Sequence, residues 1–311
     1  MIPERKDAMR VLISGASGLI GQELSSLLSG RGHEVRRLVR DPVKLRPGDV
    51  AWQPASHLEA ARIAGFDVIV HLAGKPVTAL WTHKAKAEIR ASRIEGTATI
   101  ARAAAEAFQQ GGKPRALICS SAIGYYGSRG GEELTEESEA GLGFLAELCR
   151  DWESAAQPAS AAGLRVVHLR TSLVLDAGGG ALAKMLPSFR FGVAGKLGSG
   201  RQWWSWVSLR DAARAFAFAV ENERVRGALN LAAPHAVTNA EFTRTLAHLL
   251  HRPALLTLPA FALRAIGGEM AEATLLASQR VIPKRLLEAG FIFEDQELEP
   301  ALRELLRART Q

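Results

Sequence analysis

The sequence predicts an α/β fold, in which a doubly wound, mostly parallel sheet carries a smaller, largely helical C-terminal portion. Two features of the first 175 residues predict it. Short apolar runs typical of buried strands alternate there with longer amphipathic segments, and the first run ends in a glycine-rich turn. Beyond residue 176 the pattern is mainly helical.

The glycine-rich turn follows the apolar run over residues 11–13 and precedes a helical pattern over residues 19–28. Gly15, Gly18 and Gly21 have the spacing Gly-x-x-Gly-x-x-Gly. Small residues between a strand and a helix N-terminus let backbone N–H groups approach a pyrophosphate, whose charge the helix dipole favours. A tight structural turn would use the same glycines, but this context favours a Rossmann-like dinucleotide site.

The remaining elements are predicted in chain order. We expect further strands over residues 33–40, 49–53, 67–74, 116–121 and 164–170, with helices over 58–64 and 82–109 and from about residue 143. Helices then recur over residues 209–222, 239–250, 259–268, 283–289 and 296–308, with one short strand over 228–231. The sequence thus divides into a disordered extension (1–8), a dinucleotide-binding unit (9–175) and a smaller substrate-binding portion (176–311).

The end of the second strand predicts which dinucleotide binds. Asp or Glu at this place accepts a hydrogen bond from the ribose 2′-hydroxyl of NAD, whereas Arg accommodates the 2′-phosphate of NADP. Arg40 stands here, and Asp41 follows it and precedes a proline. We interpret Asp41 as a turn-forming residue, so the sequence favours NADP(H).

Hydroxyl groups are concentrated after the fifth strand. Ser121 ends that strand, and both tyrosines of the chain, Tyr125 and Tyr126, follow within five residues. Such groups can polarise a carbonyl or donate a proton, although they can equally be structural residues of a turn. His71 and Cys119 lie inside apolar strands and are interpreted as buried.

Composition argues against several other classes of protein. The net charge is +7, but Lys and Arg are scattered without a basic run, which does not favour nucleic acid. No stretch has the length and apolarity of a membrane span, and residues 1–8 do not resemble a secretory signal. Two cysteines indicate neither a disulfide framework nor a metal site. We expect a cytoplasmic monomer or homodimer that acts on a small molecule, with no membrane partner.

Several segments together carry a family resemblance. They are the turn 15–21, Leu72-Ala73-Gly74, the stretch 120–127, Leu148-Cys149-Arg150-Asp151-Trp152-Glu153, and residues 206–211, 238–242 and 279–283. With them the chain resembles the extended or atypical short-chain dehydrogenase/reductases, in particular the NAD-dependent epimerase/dehydratase-like group. Within that group it looks most like the "epimerase family protein" branch, some members of which carry a cell-division-inhibitor label.

The resemblance implies a set of cofactor contacts. Arg40 would bind the 2′-phosphate, and Val174 would lie on the nicotinamide side. The other implied contacts are Gly15, Ser17, Gly18, Leu19 and Ile20 at the pyrophosphate, Leu72, Ala73 and Gly74 at the ribose, and Glu88 and Arg93 on the facing helix.

The chain departs from this family at the catalytic Tyr-x-x-x-Lys pair. The corresponding helix offers Phe144 and Leu148, or Leu145 and Cys149 in the alternative register. Tyr125, Tyr126 and Ser121 therefore remain as the candidate catalytic residues. The resulting prediction is an NADP(H)-dependent oxidoreductase-like protein that acts on a small carbonyl or hydroxyl substrate. The alternatives are a nucleotide-sugar epimerase or dehydratase, and a non-catalytic NADP(H)-binding regulator.

Overall fold

The computed structural model describes residues 8–77 and 80–307, so the predicted disordered extension lies outside the described residues except for Ala8. The described chain forms a central sheet of seven parallel strands in the order β7-β6-β5-β4-β1-β2-β3. The strands are β1 (Arg10–Ser14), β2 (Glu34–Val39), β3 (Val50–Ala51), β4 (Val68–His71), β5 (Ala116–Ala122), β6 (Arg165–Thr171) and β7 (Gly227–Leu231). The predicted doubly wound parallel sheet is confirmed.

Helices cover both faces of this sheet and make up about half of the described residues after 175. They are α1 (Leu19–Gly30), α2 (His83–Gln109), α3 (Phe144–Ser154), α4 (Gln157–Ala161), α5 (Gly180–Arg190), α6 (Leu209–Glu221), α7 (Asn239–Leu249), α8 (Ala260–Thr274), α9 (Lys284–Glu288) and α10 (Leu298–Arg307). No described helix combines the length and the apolar character that a membrane crossing requires.

Short strand pairs join distant parts of the chain. Glu133–Leu134 pairs with Arg280–Val281, Leu173–Leu175 with Trp206–Ser208, Gly195–Leu197 with Leu256–Leu258, and Trp203–Trp204 with Val237–Thr238. Single turns of 3₁₀ helix lie at Pro42–Lys44, Ala60–Arg62 and Ile123–Tyr126.

Alternating side chains of the strands fill two apolar layers. Val11 and Ile13 of β1 belong to the layer under α1 and α6, whereas Leu12 belongs to the layer under α2, and all three are fully buried. This alternation is the two-residue period of a strand that is covered on both faces.

Two elements differ from the sequence-based expectation. The predicted strand over 49–53 keeps only Val50–Ala51, and the helix expected near residues 58–64 is the 3₁₀ turn Ala60–Arg62. The short strand predicted over 228–231 is β7 of the main sheet, where it pairs with β6. Residues of the 176–311 portion therefore complete the sheet that residues 9–175 begin.

The direction of winding reverses between β1 and β4. From β1 the chain extends the sheet through β2 and β3 on one side, and then returns to add β4 to β7 on the other. In open α/β sheets, ligands bind beyond the carboxyl ends of the strands at this point of reversal. Gly15 follows β1 and Leu72 follows β4, so both lie there.

Candidate functional site

The turn after β1 packs directly against the chain that leaves β4. Gly15 has φ +73°, and a Cβ atom on it would lie 2.8 Å from both the Ala73 nitrogen and the Leu72 carbonyl carbon. A Cβ atom on Gly21 would lie 2.3 Å from the Gly15 oxygen. At Gly15 both the backbone conformation and the available space exclude a side chain, and at Gly21 the available space does.

Helix α1 begins immediately after this turn. Gly18 is its N-cap residue and supplies no capping side chain, while Ser17 is exposed. The N–H groups of the first turn of an α-helix have no partner within the helix, so Leu19 and Ile20 present backbone donors at this end. The arrangement is a positively polarised cradle of the kind that binds phosphate.

A further run of glycines, Gly178-Gly179-Gly180, packs against the same helix end. A Cβ atom on Gly179 would lie 2.8 Å from Leu19 Cδ1. One on Gly180 would lie 3.3 Å from Leu19 Cδ2 and 3.6 Å from the Val174 oxygen. The fold thus brings Leu19 and Val174 together across Gly180, although they are far apart in the sequence.

Three arginines lie in or directly after β2, and they differ in whether they have a partner. Arg36 pairs with Glu34, and Arg37 pairs with Asp49. Arg40 is exposed, and its side chain has no hydrogen bond or ion pair among residues 8–77 and 80–307. Its guanidinium is therefore available to a ligand.

The Asp41 side chain hydrogen-bonds to the local backbone. Its Oδ1 accepts a hydrogen bond of 3.1 Å from the Val43 N–H and caps the 3₁₀ turn Pro42–Lys44. The interpretation of Asp41 as a turn-forming residue is confirmed.

Two residues of α2 hold the segment that follows β4. Arg93 Nη1 donates to the Lys75 carbonyl oxygen at 2.8 Å, and Glu88 forms an ion pair with the Lys75 ammonium. Gly74 lies against the Arg93 guanidinium, where a Cβ atom would meet Cζ at 3.4 Å. The structure therefore brings Gly74, Glu88 and Arg93 together around Lys75.

His71 is fully buried in β4, as expected, and shares a 2.5 Å hydrogen bond with the Ser14 hydroxyl. Burial, assisted by the charge of Arg93, lowers the pKa of His71 to about 4. The imidazole is neutral at physiological pH and is a part of the core.

Three polar residues form a row across β5, β6 and β7. The strand register places Ser121 opposite Arg170, and Arg170 opposite Asn230. Tyr126, fully buried above this row, donates to Asn230 Oδ1 at 2.7 Å and accepts from Arg170 Nη1 at 3.0 Å. Burial raises the pKa of Tyr126 to about 12, so its hydroxyl keeps its proton.

The centre of this network is a buried ion pair. Arg170 Nε and Nη2 each donate to the Glu153 carboxylate at 2.9 Å, and the Ser121 hydroxyl donates to the same carboxylate at 2.7 Å. Burial alone would raise the pKa of Glu153, but the hydrogen bonds and charge of Arg170 hold it below its ordinary value. Ser121 and Tyr126 are therefore linked through Glu153 and Arg170.

Tyr125 is placed differently from Tyr126. Its ring lies under the Arg170 guanidinium, with Cζ 3.4 Å from the ring centroid, and it meets the Tyr126 ring edge-on at 5.2 Å. Tyr125 is half-buried, and its hydroxyl makes no hydrogen bond within the described part of the chain. Of the two tyrosines, Tyr125 is the one that is free to meet a ligand.

Helix α3 packs against the turn that carries both tyrosines. A Cβ atom on Gly124 would lie 3.1 Å from Leu145 Cβ and 3.8 Å from Cys149 Sγ. These residues belong to the alternative register of the missing Tyr-x-x-x-Lys pair, and they fill the place with apolar atoms. Burial raises the pKa of Cys149 to about 12, which keeps it a thiol and argues against a nucleophile.

Sequence reasoning missed Glu153, Arg170 and Asn230, which hold the candidate catalytic residues in place. A usable signal was present, because Arg170 and Asn230 are buried polar residues near the carboxyl ends of their strands. Buried polar groups in such positions need partners. No group of three His, Cys, Asp or Glu side chains that could hold a metal ion occurs among the described residues.

Two family models match the chain. The model described as the NAD dependent epimerase/dehydratase family matches residues 11–232, and a domain of unknown function matches residues 258–305. An epimerase family protein of Mycobacterium leprae is 40% identical over 294 residues, which cover 94% of this chain and 94% of that protein. A bovine epimerase family protein is 38% identical over 304 residues, which cover 96% of this chain and 100% of that protein.

Solved structures are similar over nearly the full length of the chain. The crystal structure of a human epimerase family protein with NADPH matches with a TM-score of 0.87 and 36% identity, covering 96% of this chain and 99% of that one. The nucleoside-diphosphate sugar epimerase of Corynebacterium glutamicum matches with a TM-score of 0.81 and 36% identity. That match covers 96% of this chain and 58% of the longer epimerase.

Proposed function

Since the chain belongs to the NAD dependent epimerase/dehydratase family, we propose that it binds NADP(H) at the carboxyl edge of its sheet and transfers hydride to or from a small carbonyl or hydroxyl substrate. The observation that carries the proposal is Arg40, a guanidinium without a protein partner among the described residues, at the place where a 2′-phosphate is recognised. The human relative that was solved with NADPH supports the same cofactor.

The residues of the β1–α1 turn fit a dinucleotide. Gly15 brings the backbone against β4, and no side chain at Gly18 competes for the donors of α1. Gly15, Ser17, Gly18, Leu19 and Ile20 would contact the pyrophosphate through this polarised helix end.

Residues after β4, on α2 and after β6 would contact the rest of the cofactor. Leu72, Ala73 and Gly74 would line the ribose, and Glu88 and Arg93 would hold that wall through Lys75. Val174, which lies close to Leu19 across Gly180, would face the nicotinamide side.

The bound nicotinamide would supply or accept the hydride. In the reducing direction Tyr125 donates its hydroxyl proton to the substrate oxygen, and in the oxidising direction it receives one. Arg170, stacked on the Tyr125 ring, stabilises the negative charge that the ring then carries. Ser121 and Tyr126 are positioning residues in this proposal, because they hold Glu153 and Arg170 in place.

Replacing Arg40 tests the cofactor preference. We expect Arg40→Ala to weaken NADPH binding by about 10- to 100-fold, the effect of losing charge-assisted hydrogen bonds, and to leave NADH binding unchanged. Titration calorimetry with both coenzymes measures this. The matched control is Arg36→Ala, which removes an arginine that is already paired with Glu34. An equal loss for both coenzymes would contradict the role of Arg40.

Replacing each tyrosine tests the chemistry. With a panel of aldehydes and ketones, we expect Tyr125→Phe to lower the rate of NADPH oxidation by about 100-fold while NADPH binding persists. Tyr126→Phe should act mainly on stability, since its hydroxyl bonds to Asn230 and Arg170. Activity that survives both changes would remove the tyrosines as proton donors.

A second candidate function is a non-catalytic NADP(H)-binding regulator. Leu145 and Cys149, which occupy one register of the missing catalytic pair, favour it. NADPH binding by the wild-type protein, with no turnover of any carbonyl compound or nucleotide sugar, would support this function. Interconversion of nucleotide sugars would instead support an epimerase.

A further inference from the structure

Two segments of the C-terminal portion contain no acidic residue. The chain has 32 Asp and Glu residues among its 311, but residues 177–210 and 242–268 contain none. The fold brings these two segments together, because the strand Gly195–Leu197 of the first pairs with the strand Leu256–Leu258 of the second. They therefore form a joint surface to which neither contributes a negative charge.

A groove of about 370 Å³ lies on this surface, along α7 and the strand pair. Four exposed basic residues line it, and we call them the basic groove: Lys196, Arg244, His248 and Arg252. None of the described residues of the lining is acidic. Within residues 8–77 and 80–307, none of the four side chains forms an ion pair or a hydrogen bond. By contrast, Arg210 and Arg264 of the same two segments pair with Glu304 and Glu272.

The positive charge continues beyond His248. A neighbouring groove between α7 and α10 shares His248 and is lined by Arg190, Arg303 and Arg307. Arg303 pairs with Glu299 of its own helix. Glu241, in the first turn of α7, lines neither groove. The unpaired charge of this surface is therefore positive.

Large apolar side chains are exposed beside the basic groove. We call them the apolar rim: Phe191, Val193, Leu255 and Leu256, which are 81%, 56%, 89% and 51% exposed. The two loops that carry them are adjacent, because a Cβ atom on Gly192 would lie 3.5 Å from Pro253 Cδ. Leu255 and Leu256 also line the basic groove itself. Exposed apolar residues that are grouped in this way mark an interaction surface.

The combination of charge and apolarity favours one kind of partner. Basic residues bind the phosphates of anionic lipid head groups, while neighbouring apolar side chains enter the boundary between head groups and acyl chains. A single-stranded nucleic acid would need stacking platforms, and Phe191 is the one aromatic residue of the apolar rim. A soluble phosphate compound would neutralise the basic groove but would leave the apolar rim in water.

We propose that the basic groove and the apolar rim dock the protein on a membrane surface that carries anionic phospholipids. Lys196, Arg244 and Arg252 bind head-group phosphates, and Phe191 and Leu255 enter the interfacial layer. Such a contact needs no spanning helix, and the expectation of no membrane partner rested on the lack of a spanning segment. None of these residues belongs to the glycine turn or the tyrosine network, so failure of this proposal leaves the cofactor proposal intact.

The first test is co-sedimentation of the full-length protein with lipid vesicles. We expect binding to vesicles of phosphatidylcholine and phosphatidylglycerol in a ratio of about 7:3, and no binding to phosphatidylcholine alone. The affinity should fall as NaCl rises from about 0.05 M to about 0.5 M, because salt screens the attraction. The proposal is overturned if the folded wild type does not bind the anionic vesicles at the lower salt concentration.

Charge variants locate the contact. The double variant Arg244→Gln/Arg252→Gln should weaken binding to anionic vesicles about 25-fold, since each basic residue near such a surface contributes about fivefold. The matched control is Arg62→Gln/Arg224→Gln, which removes the same net charge from two other exposed arginines. The control should bind nearly as the wild type does. Equal losses in the two double variants would mean that net charge alone drives binding, which overturns the proposal.

A fluorescent probe tests whether the apolar rim enters the membrane. Cys119 and Cys149 are buried, so an environment-sensitive thiol label on Leu255→Cys reports from that position. Its emission should shift to the blue with anionic vesicles, whereas the same label on Val43→Cys, at a side chain that is 92% exposed, should not shift. Unchanged emission at position 255, with the protein displaced from vesicles by inorganic diphosphate, would assign the groove to a soluble phosphate compound and overturn the proposal.

Discussion

Arg170→Met will lower the free energy of unfolding by about 3–5 kcal/mol at neutral pH, because it leaves a buried carboxylate without its partner. The Glu153 side chain is 14% exposed and that of Arg170 is 6% exposed, so water cannot replace the lost ion pair. Tyr126 would also lose a hydrogen-bond donor. Urea unfolding of the variant and the wild type measures the difference.

The loss of unfolding free energy in Arg170→Met should become smaller as the pH falls. In the wild type Arg170 holds the pKa of Glu153 down, so the pair contributes stability at neutral pH that is lost as the pH falls through the pKa of the folded state. In the variant, burial favours the protonated carboxyl. The difference in unfolding free energy between the two proteins should therefore narrow on acidification from pH 7 to about pH 5.

The matched control removes an arginine from an exposed ion pair. Arg264 pairs with Glu272 on α8, and both side chains are more than half exposed. Arg264→Met should leave unfolding nearly unchanged, because water screens such pairs. Equal losses in Arg170→Met and Arg264→Met would contradict the view that the buried network holds this part of the fold.

Gly15→Ala will prevent detectable NADPH binding and will lower the free energy of unfolding by about 2–4 kcal/mol. The added methyl group would lie 2.8 Å from the backbone of Leu72 and Ala73, and the residue has φ +73°. Relief of this clash must move the turn away from β4, which displaces the N–H groups that would hold the pyrophosphate. Calorimetric titration and chemical unfolding of the same preparation measure both effects.

Gly32→Ala is the control that separates the effect of backbone strain from the effect of a steric clash. Gly32 also has a positive φ, +89°, but a Cβ atom there would meet nothing within 4 Å. This variant should lose about 1–2 kcal/mol of unfolding free energy and should bind NADPH normally. If Gly15→Ala also binds NADPH normally, the β1–α1 turn does not bind the pyrophosphate of the cofactor.

Much of the fold could be predicted from local patterns. The glycine spacing after an apolar run located the β1–α1 turn, and the long helical stretch over 82–109 corresponds to α2 at His83–Gln109. Asp41 was identified as a turn-forming residue because a proline follows it. Such features depend on neighbours in the sequence, and local physics determines them.

Other features depend on contacts between distant residues, which one sequence does not show. Ser121, Arg170 and Asn230 meet because β5, β6 and β7 are adjacent in a particular register. The same strand order makes residues 227–231 a part of the main sheet rather than an isolated strand. The basic groove likewise becomes apparent only when the strands Gly195–Leu197 and Leu256–Leu258 are known to pair.

The most direct test of the central proposal is a calorimetric titration of the wild-type protein with NADPH and with NADH under identical conditions. Recognition of a 2′-phosphate by Arg40 predicts that NADPH binds about tenfold tighter or more, as one charge-assisted contact implies. Equal affinities for the two coenzymes would contradict the role of Arg40. If folded protein gives no binding heat with either coenzyme, the proposed dinucleotide site itself is wrong.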